Sequence, residues 1–318
     1  MITKNGALVF TFTAKTNIWT GDANGKANSL KHTGLLGSIR WWFEVVVRGL
    51  GGYACDPLDT QCQDKNHCVV CELFGCTGWG RKFRFDVVDE CCVHIQEQIT
   101  EGMRFKLMFT PLRPIKPEEW ALLGLTLKLI VKYGAIGGKT VFKPSDEGGR
   151  ENRPYHVDYG ILTLEGENRL NKTYDEIKKY AQSRGEDNQS MWASLENFWY
   201  VSGRYLTREN KDNSSYNRVL GRNEAKSKAK NDLNNDNFSK WLAGRIPGKG
   251  DKNKESASKK IFSFKNPVFT FGFIKPGLIE HDIMKKRLKD NVWPDLKENE
   301  YISGTQRIIE ELMKNNEN

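Results

Sequence analysis

Four cysteines crowd one short stretch as Cys55-x6-Cys62-x5-Cys68-x2-Cys71, with His67 beside the third. The Cys68-x2-Cys71 pair supplies the tight half of a tetrahedral site, and Cys62 and Cys55 complete four sulfur ligands for a structural zinc ion. His67 is the alternative to Cys55 as the fourth ligand. The spacing is short and irregular, which suits a knuckle folded from a loop rather than a standard finger. The competing reading is four reduced thiols packed as small hydrophobes in a Trp-rich core. Cys76, Cys91 and Cys92 stand outside the pattern.

A second chemistry is offered by Gly134-Ala135-Ile136-Gly137-Gly138-Lys139-Thr140. It looks superficially like a nucleotide-binding P-loop, but its glycines are too closely spaced and it follows a helical pattern rather than a strand. ATP hydrolysis is therefore not expected. The physical point that survives is that glycine-rich backbone approaches a phosphate closely while Lys139 supplies charge. Trp19, Lys26, Arg40, Trp41, Arg48, Arg81 and Lys82 mix aromatics with cations, the combination that stacks bases and neutralises phosphates. Arg40 and Arg48 fall two helical turns apart on one side of a helix, an arrangement that would line a groove. Asp22 and His32 are the candidates for nuclease chemistry, yet neither has a catalytic partner in the sequence. No catalytic residue is assigned.

The elements that must position these groups follow from periodicity. Ala7–Ala14 alternates as a strand; Thr33 is the expected N-cap of a helix whose apolar residues run from Leu35 to Val47 and which ends at Gly49, Gly51 and Gly52. Phe83–Val88 and Met103–Phe109 alternate as strands. Pro117, Glu118 and Glu119 open a second helix running to Tyr133, and Tyr159–Leu164 is a fourth strand. The order βαββαβ is the ferredoxin-like plan, shared with RNA-recognition folds. Beyond it, Asn171–Gln182, Ser190–Tyr205, residues 277–290 and residues 299–315 carry helical patterns, so the C-terminal half is expected to be mainly helical. Leu206–Lys260 turns polar and basic, which predicts a mobile insertion pinned only near Phe238, Trp241 and Leu242. Deleting residues 211–258 is accordingly expected to spare the fold. The expected division is residues 1–168, holding the cysteine loop at 53–80, and residues 169–318.

Composition limits the classes. Lys and Arg total 49 against 40 for Asp and Glu, a net charge of +9, which favours a polyanionic partner. No apolar run reaches the length of a membrane span and no charged-then-apolar leader opens the chain, so a soluble cytoplasmic protein is expected.

The segments IWTGDANGK, TGLLGSIRWWFEVVVRGLGGYACDP and CELFGCTGWGRKF, in this order, resemble RAMP-superfamily proteins, in particular the first RAMP subunit of the type III-B CRISPR effector, the Cmr complex. The resemblance is dense over residues 8–90 and patchier at GAIGGKT (134–140) and at WLAG…KKIFSFKNP (241–267). It implies an antiviral defense role: a non-catalytic RNA-binding subunit that contacts the 3′ part of the guide RNA and the target RNA beside other RAMP subunits. It also implies that the glycine loop touches RNA. Members of the superfamily often carry two ferredoxin-like units, which leaves room for a degenerate second unit here. The alternative reading is a stand-alone RAMP endoribonuclease that processes CRISPR RNA precursors.

Overall fold

The computed structural model describes residues 6–21, 27–56, 62, 67–140, 145–150, 153, 156–166, 171–184, 191–210, 213–221, 237–244 and 259–314. The chain forms two compact units. Unit 1 comprises Met1–Thr140, Tyr159–Glu196 and Gly304–Asn318, and unit 2 comprises Val141–Asp158 and Asn197–Ser303. A single cut after residue 168 is therefore replaced by units that exchange segments. No helix among the described residues is long and apolar enough to cross a membrane.

In unit 1, β1 (Leu8–Ala14), β2 (Phe83–Val88), β3 (Arg104–Pro111) and β4 (Leu162–Glu165) form an antiparallel sheet in the order β2-β3-β1-β4. Helices α1 (His32–Gly49), α2 (Val69–Phe74) and α3 (Pro117–Tyr133) fall between the strands, and α4 (Tyr174–Ala181) follows β4. Alternation along β1 buries Leu8, Phe10, Phe12 and Ala14. These meet Phe83, Phe85, Phe105 and Phe109 in an aromatic core that Phe43 of α1 joins through Phe74. The ferredoxin-like reading of this half agrees with the structure. Helix α1 starts two residues earlier than expected: Lys31, not Thr33, holds the capping position, and no side chain caps the helix.

Unit 2 repeats the plan. β5 (Phe198–Ser202), β6 (Ile261–Lys265), β7 (Val268–Phe273) and β8 (Tyr301–Ser303) form an antiparallel sheet in the order β6-β7-β5-β8, the same arrangement by order of appearance as in unit 1. Helices α5 (Ser215–Val219) and α6 (Asn237–Ala243) lie between β5 and β6, and α7 (His281–Asn291) between β7 and β8. The helices of the C-terminal half thus surround a four-stranded sheet, the second ferredoxin-like unit for which the sequence left room. Ser190–Tyr205 was expected as a helix, but Phe198-Trp199-Tyr200-Val201 is an aromatic and β-branched run whose backbone pairs on both sides, with β7 and β8. The basic region is not wholly an insertion either. Tyr216, Val219 and Leu220 are buried, and Trp241 and Leu242 of α6 bear out the expected anchor. Deleting 211–258 would remove these core residues; its remaining stretches 211–212, 222–236 and 245–258 lie outside the described residues. Helix α8 (Thr305–Lys314) belongs to unit 1, where Lys132 of α3 meets Glu311 at 2.7 Å.

Candidate nucleic-acid interface and metal centre

The expected RNA-contacting residues separate into an outer group and an inner group. At the end of unit 1 reached by the C-terminus of β1, the chain passes through Ile18, Trp19 and Thr20 and meets the loop that follows α3. Gly138 donates its N–H to the Trp19 carbonyl at 2.8 Å, and Gly137 donates to Ser38 Oγ of α1 at 3.0 Å. Trp42 donates its indole N–H to the Ala135 carbonyl at 3.0 Å, and its ring fills the space a side chain on Gly134 would need. Ile136 N–H bonds the Gly160 carbonyl at 2.8 Å. The glycine loop is thus fastened on three sides before any ligand arrives.

Two glycines in it have no substitute. Gly137 has φ +86°, and a Cβ there would sit 2.7 Å from the Trp19 carbonyl oxygen. A Cβ on Gly138 would enter the Trp19 ring at 2.5 Å, and one on Gly21 would enter it from 2.1 Å. Half-buried Trp19 therefore lies against Gly21 and Gly138. Lys139 completes the group, with Nζ 4.5 Å from the Trp19 ring centroid. Its own φ is +57°, a left-handed conformation that costs a non-glycine residue about 1–2 kcal/mol. Strain of this kind concentrates at working sites. Trp41 is half-buried and meets Trp42 edge-on at 5.0 Å.

The face of this sheet turned away from the helices offers a different surface. It carries Val9, Thr11, Thr13, Met108 and Thr110, with no aromatic residue, and its arginines are paired: Arg84 with Asp86, Arg104 with Glu90 and Glu165. RNA-recognition folds stack bases on aromatics of that face. This sheet lacks them.

Arg81 is exposed just before β2, at the opposite end of the sheet from Trp19. Lys82 and Arg48 are buried, which corrects their expected place on an RNA-facing surface. Lys82 Nζ lies 2.6 Å from Glu72 and 2.8 Å from Glu119; Tyr180 adds its hydroxyl to Glu119 at 2.9 Å. Arg184 and His67 Nδ1 reach the other Glu72 oxygen at 2.7 and 3.0 Å. Burial raises the Glu72 carboxyl, but the hydrogen bond and charge of Lys82, aided by Arg184 and His67, outweigh it and hold Glu72 below its ordinary value. An ammonium bound this way has no capacity left for a phosphate. Lys26 and Asp22 lie outside the described residues, and His32 bonds the Ile95 carbonyl through Nε2 at 2.9 Å.

The four cysteines come together. The sulfurs of Cys55, Cys62, Cys68 and Cys71 all lie within 4.8 Å of one another, and all four residues are buried. Cys55 and Cys71 sulfurs are 3.4 Å apart, Cys55 and Cys68 3.9 Å. A zinc ion with sulfur ligands at about 2.3 Å would hold them about 3.8 Å apart, so the set fits a tetrahedral metal. Main-chain N–H groups already point at the sulfurs, Cys68 N to Cys62 and Cys71 N to Cys68, at 3.3 and 3.4 Å. Hydrogen bonds from Cys55 and Cys71 pull the Cys68 thiol far below its ordinary value, while sharing those bonds and burial push Cys55 and Cys71 up. His67 is not part of the group: it faces Glu72 and lies tilted against Trp79, ring centroids 4.5 Å apart. Cys55, not His67, is the fourth member of the cluster.

Sequence reading missed the fastening of the glycine loop by Ser38 and Trp42, and the buried charges around Lys82. The first had a signal, since both residues fall on the α1 side that also carries Ile39. The second had none, because its members are scattered from residue 67 to residue 184.

A family model described as RAMP superfamily matches residues 11–142. No curated protein matches the sequence. Among solved structures, the apo form of Cmr1 from Pyrococcus furiosus covers 97% of this chain and 96% of its own, at 10% identity and a TM-score of 0.44. A chain of a Csm3-Csm4 subcomplex from a type III-A CRISPR-Cas interference complex covers 50% of this chain and 74% of its own, at 17% identity and a TM-score of 0.27. A chain of a type IV-B CRISPR complex covers 54% of this chain and 98% of its own, at 12% identity and a TM-score of 0.34.

Proposed function

We propose that this chain, with its RAMP-superfamily segment at residues 11–142, is a non-catalytic RNA-holding subunit of a type III-B CRISPR effector complex. In this reading it receives the 3′ part of the guide RNA, engages the target RNA, and works in the cytoplasm beside other RAMP subunits. The observation that carries the reading is the Trp19–Gly138–Lys139 constellation: an aromatic ring, a side-chain-free backbone and a cation held in one place. Its mechanism is positional. The ring offers a stacking surface to a base, Gly137 and Gly138 make the room that seats Trp19 beside Lys139, and Lys139 neutralises a phosphate. The four-cysteine group holds a structural zinc ion that supplies folding energy to the knuckle and takes no part in RNA contact.

Replacing Trp19 by alanine should weaken single-stranded RNA binding by about 1–3 kcal/mol, or roughly 5–150-fold, with little sequence preference. Lys139→Ala should flatten the log–log salt dependence by about 0.7, one phosphate contact. Fluorescence anisotropy across a salt series reads both. Slopes and affinities unchanged in both variants would remove the site.

A further inference from the structure

Arg40, Glu44 and Arg48 recur every fourth residue along α1 and so form one row on its surface. That spacing suggested a phosphate-lined groove, but the row points elsewhere. Arg40 donates through Nη2 to the Cys71 sulfur at 3.3 Å and through Nη1 to the Gly75 carbonyl at 2.9 Å, while its Nε pairs with Glu44 at 3.2 Å. Glu44 pairs in turn with Arg48 at 3.6 Å. Buried Arg48 donates to the carbonyls of Ala54 at 3.2 Å, Cys55 at 3.5 Å and Ala193 at 3.1 Å. One end of the row grips a sulfur of the cluster and the other grips the main chain of a second cysteine.

A dication among four thiolates leaves two negative charges in excess, in a place with little water to screen them. A guanidinium hydrogen-bonded to one sulfur offsets part of that excess and fixes the sulfur's direction. We propose that Arg40, Glu44 and Arg48 are positioning residues for the four-cysteine metal centre, Arg40 steadying the Cys71 thiolate and Arg48 the Cys55 main chain. The inference rests on the metal reading above. It also removes Arg40 from the RNA interface, because its guanidinium is committed to the centre.

The test is a competition titration of the full-length protein with zinc against a chromogenic chelator. It is accompanied by the sulfur-to-cobalt charge-transfer spectrum of the cobalt-loaded form. Outer partners of metal ligands typically contribute 10–100-fold in affinity, so Arg40→Ala should weaken zinc by that factor and shift the cobalt spectrum. Arg40→Lys should lie between it and the wild type. RNA affinity measured with zinc in excess should not change. If Arg40→Ala does not fold, Arg40→Lys and Glu44→Gln decide, each expected to weaken zinc several-fold. Wild-type zinc affinity in every variant that folds overturns the inference and leaves the metal reading standing. A wild-type protein that takes up no metal overturns both.

Discussion

Replacing Glu119 by alanine is expected to cost unit 1 about 3–5 kcal/mol, the usual loss when one partner of a buried ion pair is removed. Glu119 sits in the first turn of α3 and is fully buried. Its two oxygens accept from Lys82 Nζ at 2.8 and 3.1 Å, from the Tyr180 hydroxyl at 2.9 Å and from the Lys116 N–H at 2.8 Å. Truncation leaves a buried hydroxyl without its acceptor, an uncapped helix start, and an ammonium resting on Glu72 alone. Glu119→Gln keeps the shape and one acceptor, so its cost should be smaller. Urea denaturation is the measurement, read as a lower midpoint at unchanged m-value. A loss under about 1 kcal/mol for the alanine variant would show that the buried charges contribute little to this fold.

Loss of the metal should be the other large effect. A structural zinc site contributes its binding free energy to folding, so Cys71→Ser or exhaustive chelation should destabilise unit 1 by several kcal/mol. The expected readout is a fall in Tm of about 10 °C or more. Elemental analysis of protein purified without added metal should give one zinc per chain. Cys55→Ser should lose it and His67→Ala should keep it, because the imidazole faces Glu72 rather than the sulfurs. Well under one zinc per chain, with Tm unmoved by Cys71→Ser, would leave four packed thiols.

How much of this was legible depended on whether a feature is local. The first ferredoxin-like unit could be read because Phe10 and Phe12, or Phe105 and Phe109, alternate within single strands, the apolar face of α1 is long, and α3 carries its own start signal in Pro117, Glu118 and Glu119. The four cysteines could be read because they lie within one loop. The second unit could not, because β5 is five residues long and its aromatic run fits a helix as well as a strand. What decides it is pairing with residues seventy and a hundred positions away. The same limit applies to charge. Arg40 and Arg48 have the spacing of a row in the sequence, but what the row faces depends on where Cys71 and Ala54 fold back. Lys82 looked like surface because nothing nearby announces Glu119 or Tyr180.

The central claim is that RNA is held at the Trp19 and Lys139 end of unit 1. Ultraviolet cross-linking of the full-length protein to a single-stranded RNA, with the modified peptides mapped by mass spectrometry, tests it most directly. Cross-links should fall on the peptides that carry Trp19 and Gly137–Lys139, and Trp19→Ala should abolish the first of them. Cross-links confined to the β2–β3 sheet face or to the Arg81 end of the sheet, with none near Trp19, would contradict the account.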